Sequence, residues 1–135
     1  MTMDEPNLVG QALPEMPKSP RSSPNAVRSI DVLAFPAVQL LDVTGPLQVF
    51  ASANDIVAEA GRAPPYVLRV VAQGGRGVMA SAGLVLAAEP LPLVGAAVDT
   101  LMVAGGQGVE AAAADPVLVE WLRDRATHAR TGCGS

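Results

Sequence analysis

From Ile30 onward the chain is a succession of short apolar runs punctuated by glycine, proline and single polar residues. Residues 32–35 form a continuous apolar run, the pattern of a strand buried on both faces, and Pro36 closes it. Thr44-Gly45-Pro46 predicts a helix start, with Thr44 as N-cap and proline in the first turn. Leu47, Phe50, Ala51, Asn54, Val57 and Ala58 then share one helical face, while Val49, Ala53, Ile56 and Ala60 make a second that is also mostly apolar. Such a helix is expected to be covered on both sides, by a sheet and by a partner or a further part of the domain. Gly61 and Pro64-Pro65 end it.

Residues 66–72 predict a second strand. Gly74-Gly75-Arg76-Gly77 reads as a loop, and residues 78–81 and 84–87 flank Ala82-Gly83 as a small hairpin. Residues 98–103 predict a buried strand running into Gly105-Gly106-Gln107-Gly108. Asp115-Pro116 caps a last helix, whose stripe Leu118, Trp121, Leu122 and Ala126 ends near Arg130. Strands alternating with helices predict an α/β sandwich with a mostly parallel sheet. Residues 1–29, with five prolines after Asp4 and few apolar side chains, are expected to be a disordered tail; 30–130 form the domain and 131–135 a flexible tail.

Composition narrows the function classes. In 135 residues there is room for one domain, with a core of Val, Leu and Ala, since aromatics make up only 3 %. The net charge of −4 and the lack of a basic stripe argue against direct nucleic-acid binding. One cysteine excludes an internal disulfide, and one histidine with no Cys/His cluster argues against structural zinc; no cofactor is expected. His128 reads as a solvated helix-end residue. No apolar run approaches the roughly 20 residues that span a bilayer, and the N-terminus lacks a signal-peptide core, so the expected location is cytoplasmic.

Ligands of open α/β sheets bind beyond the carboxyl ends of the strands. Two segments lie there, residues 35–46 and 104–108. Asp42 is the one acid in its apolar stretch, just before the expected helix start; it is either a turn or capping aspartate or the acid of a pocket. Gly105 and Gly106 either let backbone amides approach a bound oxyanion or make a tight turn. Gly106-Gln107-Gly108 with Ala111 fits a dinucleotide pattern only weakly.

The run Phe35-Pro36, Leu41-Asp42-Val43-Thr44-Gly45-Pro46-Leu47-Gln48-Val49-Phe50, then Ala80-Ser81-Ala82-Gly83-Leu84, then Val103-Ala104-Gly105-Gly106, resembles the DJ-1/PfpI superfamily. Within it the sequence is most similar to the amidotransferase-like sensor domain of AraC-type transcriptional regulators, and isocyanide hydratases share the D-x-T-G-P pattern. The resemblance implies a partial flavodoxin-like, parallel-rich sandwich with a small hairpin, lacking its C-terminal half. It places Asp42 beside the family's nucleophilic cysteine, with Gly105 and Gly106 facing that cysteine. The family continues with a strand and a C-T-G elbow, where helix dipole and amides favour a thiolate. Here Thr131-Gly132-Cys133-Gly134-Ser135 follows instead. Cys133 is either a remnant of the elbow or part of an out-of-frame ending, and it is expected to be unactivated.

Three functions compete. The first is a non-enzymatic fragment of a regulator's sensor domain, binding an unknown small molecule and lacking the DNA-binding module; Leu47-Gln48-Val49-Phe50 and the stretch from Ala113 to Leu122 read closer to regulators. The second is a hydratase-like or amidase-like cysteine enzyme using Asp42 and Cys133. The third is an inert partner of a full-length paralogue. Loss of the central strand is expected to leave an unpaired apolar sheet edge, and with it a homo-oligomer or an aggregation-prone chain.

Overall fold

The computed structural model of the chain describes residues 26–93 and 95–134, the last six by their backbone. The strands are β1 (Arg28–Leu33), β2 (Tyr66–Ala72), β3 (Val78–Met79), β4 (Val85–Leu86), β5 (Glu89–Pro90), β6 (Val98–Val103) and β7 (Ala129–Gly134). The helices are α1 (Leu40–Glu59), α2 (Val109–Ala113) and α3 (Pro116–His128). Five strands form one parallel sheet in the order β5-β2-β1-β6-β7, and β3 and β4 make the antiparallel hairpin expected around Ala82-Gly83.

Strand β1 is central, and successive side chains point to opposite faces. Val32 joins Ala34, Phe35, Val38 and Val43 in one cluster, against which Leu47 of α1 packs. Leu33 joins Val71, Leu101, Leu118 and Trp121 in a second, which α3 covers. Both faces are therefore buried, which is why the strand reads as an unbroken apolar run. The Trp121 indole N–H donates to the carbonyl of Pro92 at 2.8 Å, satisfying the one polar atom of that ring.

Two charged side chains are buried in this frame, Asp31 of β1 and Arg125 of α3. Asp31 is only 1 % exposed and lies in register with Arg69 on β2. Arg69 holds it with two bonds, Nε to Oδ1 at 2.8 Å and Nη2 to Oδ2 at 3.1 Å. Burial pushes the Asp31 carboxyl above its ordinary range, and the Arg69 guanidinium pulls it part of the way back.

Three expectations are corrected. Helix α1 starts at Leu40 rather than after Thr44, and Pro46 lies inside it. The N-cap, Gln39, has no capping side chain. Its own amide, one of the helix-start N–H groups with no partner inside the helix, donates to the carbonyl of Gly105 at 2.9 Å. Thr44 turns its hydroxyl back onto the carbonyl of Leu40 at 3.1 Å. Strand β1 begins at Arg28, inside the expected 1–29 tail, of which residues 1–25 lie outside the described residues. The last helix was expected to run to about Arg130 and residues 131–135 to be a flexible tail, but the helix ends at His128 and β7 pairs with β6, Val98 with Ala129 through Val103 with Gly134. The open amides and carbonyls of β6 accept a partner strand even though Gly132 and Gly134 are poor strand formers. The edge of β6 that was expected to be unpaired is thereby covered. The second apolar face of α1, expected to be covered by a partner or a further part of the domain, is exposed in the single chain at Val49 and Ile56, 66 % and 67 %.

Removing Arg69 would leave Asp31 buried without its partner. Arg69→Ala should destabilise the chain by about 3 kcal/mol in urea denaturation. Because the folded-state pKa of Asp31 is raised, protonated Asp31 favours folding. Its contribution is full below the ordinary carboxylate range and is lost as pH rises through the raised value. Relative to Asp31→Asn, the parent chain should therefore lose stability over that interval, and a parent that gains stability over the variant as pH rises would contradict this.

Candidate functional site

The carboxyl ends of β1 and β6 meet where the strand order reverses, which is where open α/β sheets place ligands. Here two loops are stitched together across that crevice. Val38 and Gly106 form an antiparallel bridge. The Gln39 amide donates to the Gly105 carbonyl at 2.9 Å, and the Gly108 amide to the Ala37 carbonyl at 3.2 Å. The β1–α1 loop is also tied to the hairpin: the Ala37 amide donates to Met79, and the Ser81 amide to Val38, each at 2.9 Å.

This closeness depends on missing side chains. A Cβ at Gly106 would overlap the Gln39 nitrogen and lie 2.9 Å from the Ala37 carbonyl oxygen, and the residue has φ 130°. A Cβ at Gly108 would overlap the Pro36 carbonyl. On the other side of the stitch, Ala37 takes φ 63°, a left-handed conformation that is strained for a residue with a Cβ.

Asp42 lies in the first turn of α1, half-buried, where helix amides and dipole favour a negative charge. Its Oδ2 accepts the Gly105 amide at 3.0 Å. Asp42 and Gly105, picked out from sequence, are thus brought into direct contact. Gly106 packs on the backbone of residues 37–39. Cys133 belongs to β7, where its backbone is in register with Met102, on the strand that leads into the glycine loop. Gly108, Ala37 and Gln39 belong to the same assembly, although sequence reasoning assigned them no role. The third glycine of Gly105-Gly106-Gln107-Gly108 was the one available sign.

A scan against models of known protein families finds no match. A curated Streptomyces lividans protein, known by its position in the cpoL 5′ region, is 34 % identical over 105 residues, covering 76 % of this chain and 70 % of that protein. The chain belongs to the family of that protein. Among solved structures, a ThiJ/PfpI family protein from Pseudomonas syringae superposes with a TM-score of 0.68 at 23 % identity, over 94 % of this chain and 50 % of its own. An AraC family transcriptional regulator from Pseudomonas putida gives 0.57 at 22 %, over 79 % and 63 %. Drosophila melanogaster DJ-1beta gives 0.54 at 19 %, over 79 % and 54 %. The fold is that of the DJ-1/PfpI superfamily, and the chain spans about half the length of the Pseudomonas syringae protein. No described helix is long and apolar enough to cross a membrane.

Three glycine variants should separate steric need from motif membership. Gly106→Ala and Gly108→Ala force the two loops apart and should each cost about 3 kcal/mol or more, or prevent folding. Gly45, inside α1 with nothing within 4 Å of an added Cβ, should gain up to about 1 kcal/mol on substitution by alanine. Denaturation midpoints of the three variants check the order. Asp42→Ala, which strips the Gly105 amide of its acceptor, should cost about 1–2 kcal/mol, and Asp42→Asn less.

Proposed function

We propose that this chain is a ligand-sensing domain of the kind carried by AraC-type regulators, binding a small molecule without catalysis. The observation that carries this reading is the Asp42–Gly105 contact. An oxyanion hole needs amides aimed at empty space where charge will develop. The Gly105 amide is instead directed at the Asp42 carboxylate, so the acid and the glycine act as a clasp between two loops. A clasp at the carboxyl ends of parallel strands suits a binding domain, because it presets the loops around a ligand without supplying chemistry. The similarity to the Pseudomonas putida regulator supports the same class.

One observation favours a second reading, an isocyanide hydratase-like cysteine enzyme. β7 runs parallel to β6 and carries Cys133 beside Met102, on the strand that leads to Gly105. In that reading Asp42 would orient or activate the attacking group at Cys133. Assay of the folded 135-residue chain with an aliphatic isocyanide decides between them. We expect no turnover above the buffer rate. Turnover that disappears in both Cys133→Ser and Asp42→Ala, with folding retained, would replace the sensor reading by the enzyme.

A further inference from the structure

A cavity of about 550 Å³ opens at the carboxyl ends of β1 and β2, and Asp42 is not among its lining residues. Its walls are apolar, with Phe35, Ala72, Val78, Ala112 and Leu118 among them. The volume falls within the range of small-molecule sites. A second cavity, of about 190 Å³, shares Phe35, Ala112 and Leu118 with it, so the two lie on either side of the same side chains. Helix α2 borders both cavities, and none of its residues is fully buried. It is a short helix whose Ala112 packs against both apolar clusters while Val109, Glu110, Ala111 and Ala113 are exposed.

The charged groups of the larger cavity differ in their engagement. Asp115 accepts the amides of Val117 and Leu118 through Oδ1, at 3.0 and 3.4 Å, as the cap of α3. Arg76, the one cation in the lining, has no ion-pair partner among the described residues. An apolar slot with an exposed arginine among its lining residues suits a ligand with an apolar body and one carboxylate, which the planar fork of arginine pairs with in two bonds.

We propose that this cavity is a binding site for small apolar-bodied carboxylates, with Arg76 as the carboxylate anchor. The cavity adjoins the stitched loops through Pro36 and Gly108 but is not lined by Asp42 or Gly105, and the proposal does not depend on the sensor reading.

The test uses the full 135-residue chain with phenylacetate as the probe and phenylacetamide, its uncharged near-isostere, as the comparison. Titration followed by amide chemical shifts should give saturable binding of phenylacetate, with the largest shifts at Phe35, Gly77 and Ala112. Phenylacetamide should bind about tenfold more weakly or not at all, and Arg76→Gln should bring phenylacetate down to the same level. Ala111→Trp, at an exposed position of the lining, should block binding while unfolding stays cooperative. No saturable binding, equal affinity for acid and amide, indifference to Arg76→Gln, or shifts confined to Gly105 and its neighbours would each overturn the proposal. Because the shifts report position, binding at the clasp and failure at this cavity are read separately.

Discussion

The architecture at the functional end rests on a contact between two backbones. Strands β1 and β6 are neighbours in a parallel sheet, so their outgoing loops leave the same edge side by side. Loops in that position usually part, one helix going to each face, and leave a crevice. Here Val38 and Gly106 bridge the gap, and the Gln39 amide donates to the carbonyl of Gly105. Two glycines make the approach possible, since a single methyl at residue 106 or 108 would occupy space already taken by the opposite loop. The satisfied amide at the start of α1 and the placement of Asp42 beside Gly105 both go with this contact.

Asp42 completes the stitch from the helix side. A carboxylate in the first turn of a helix is already favoured by the local amides. Accepting the Gly105 amide converts that local preference into a tie across 63 positions of sequence. The strain of Ala37 at positive φ lies in the same stretch. Its amide and carbonyl reach in opposite directions, to Met79 and to Gly108, so neighbours on both sides hold the conformation in place.

Much of the sheet is legible in the sequence. Residues 66–72 and 98–103 are β-branched and apolar, and both form strands over those spans. The hairpin around Ala82-Gly83 and the helix stop at Gly61, with φ 82°, follow from turn chemistry. The misses share a cause: each depends on a partner distant in the chain. Gln39 is a poor N-cap by residue type, and its own amide finds its acceptor on Gly105. Strand β7 contains two glycines and earns its assignment only from the edge of β6. Two-residue β5 is too short for a pattern and is set by Val71 and Ala72. The Asp31–Arg69 pair is invisible to periodicity, which reads a charge on a strand as solvent-facing. At the site, Asp42 and the diglycine stand out by type, whereas their contact is a property of the folded chain.

The most direct measurement of the loop-to-loop stitch is native-state hydrogen exchange at single-amide resolution. If the two loops are held together as one unit with the sheet, the amides of Gln39, Gly105 and Gly108 will exchange as slowly as those of β1, despite lying in loops. Exchange of these three amides at the rate of freely opening loops, with β1 still protected, would show that the stitch is not a structural tie and would remove the basis for the site.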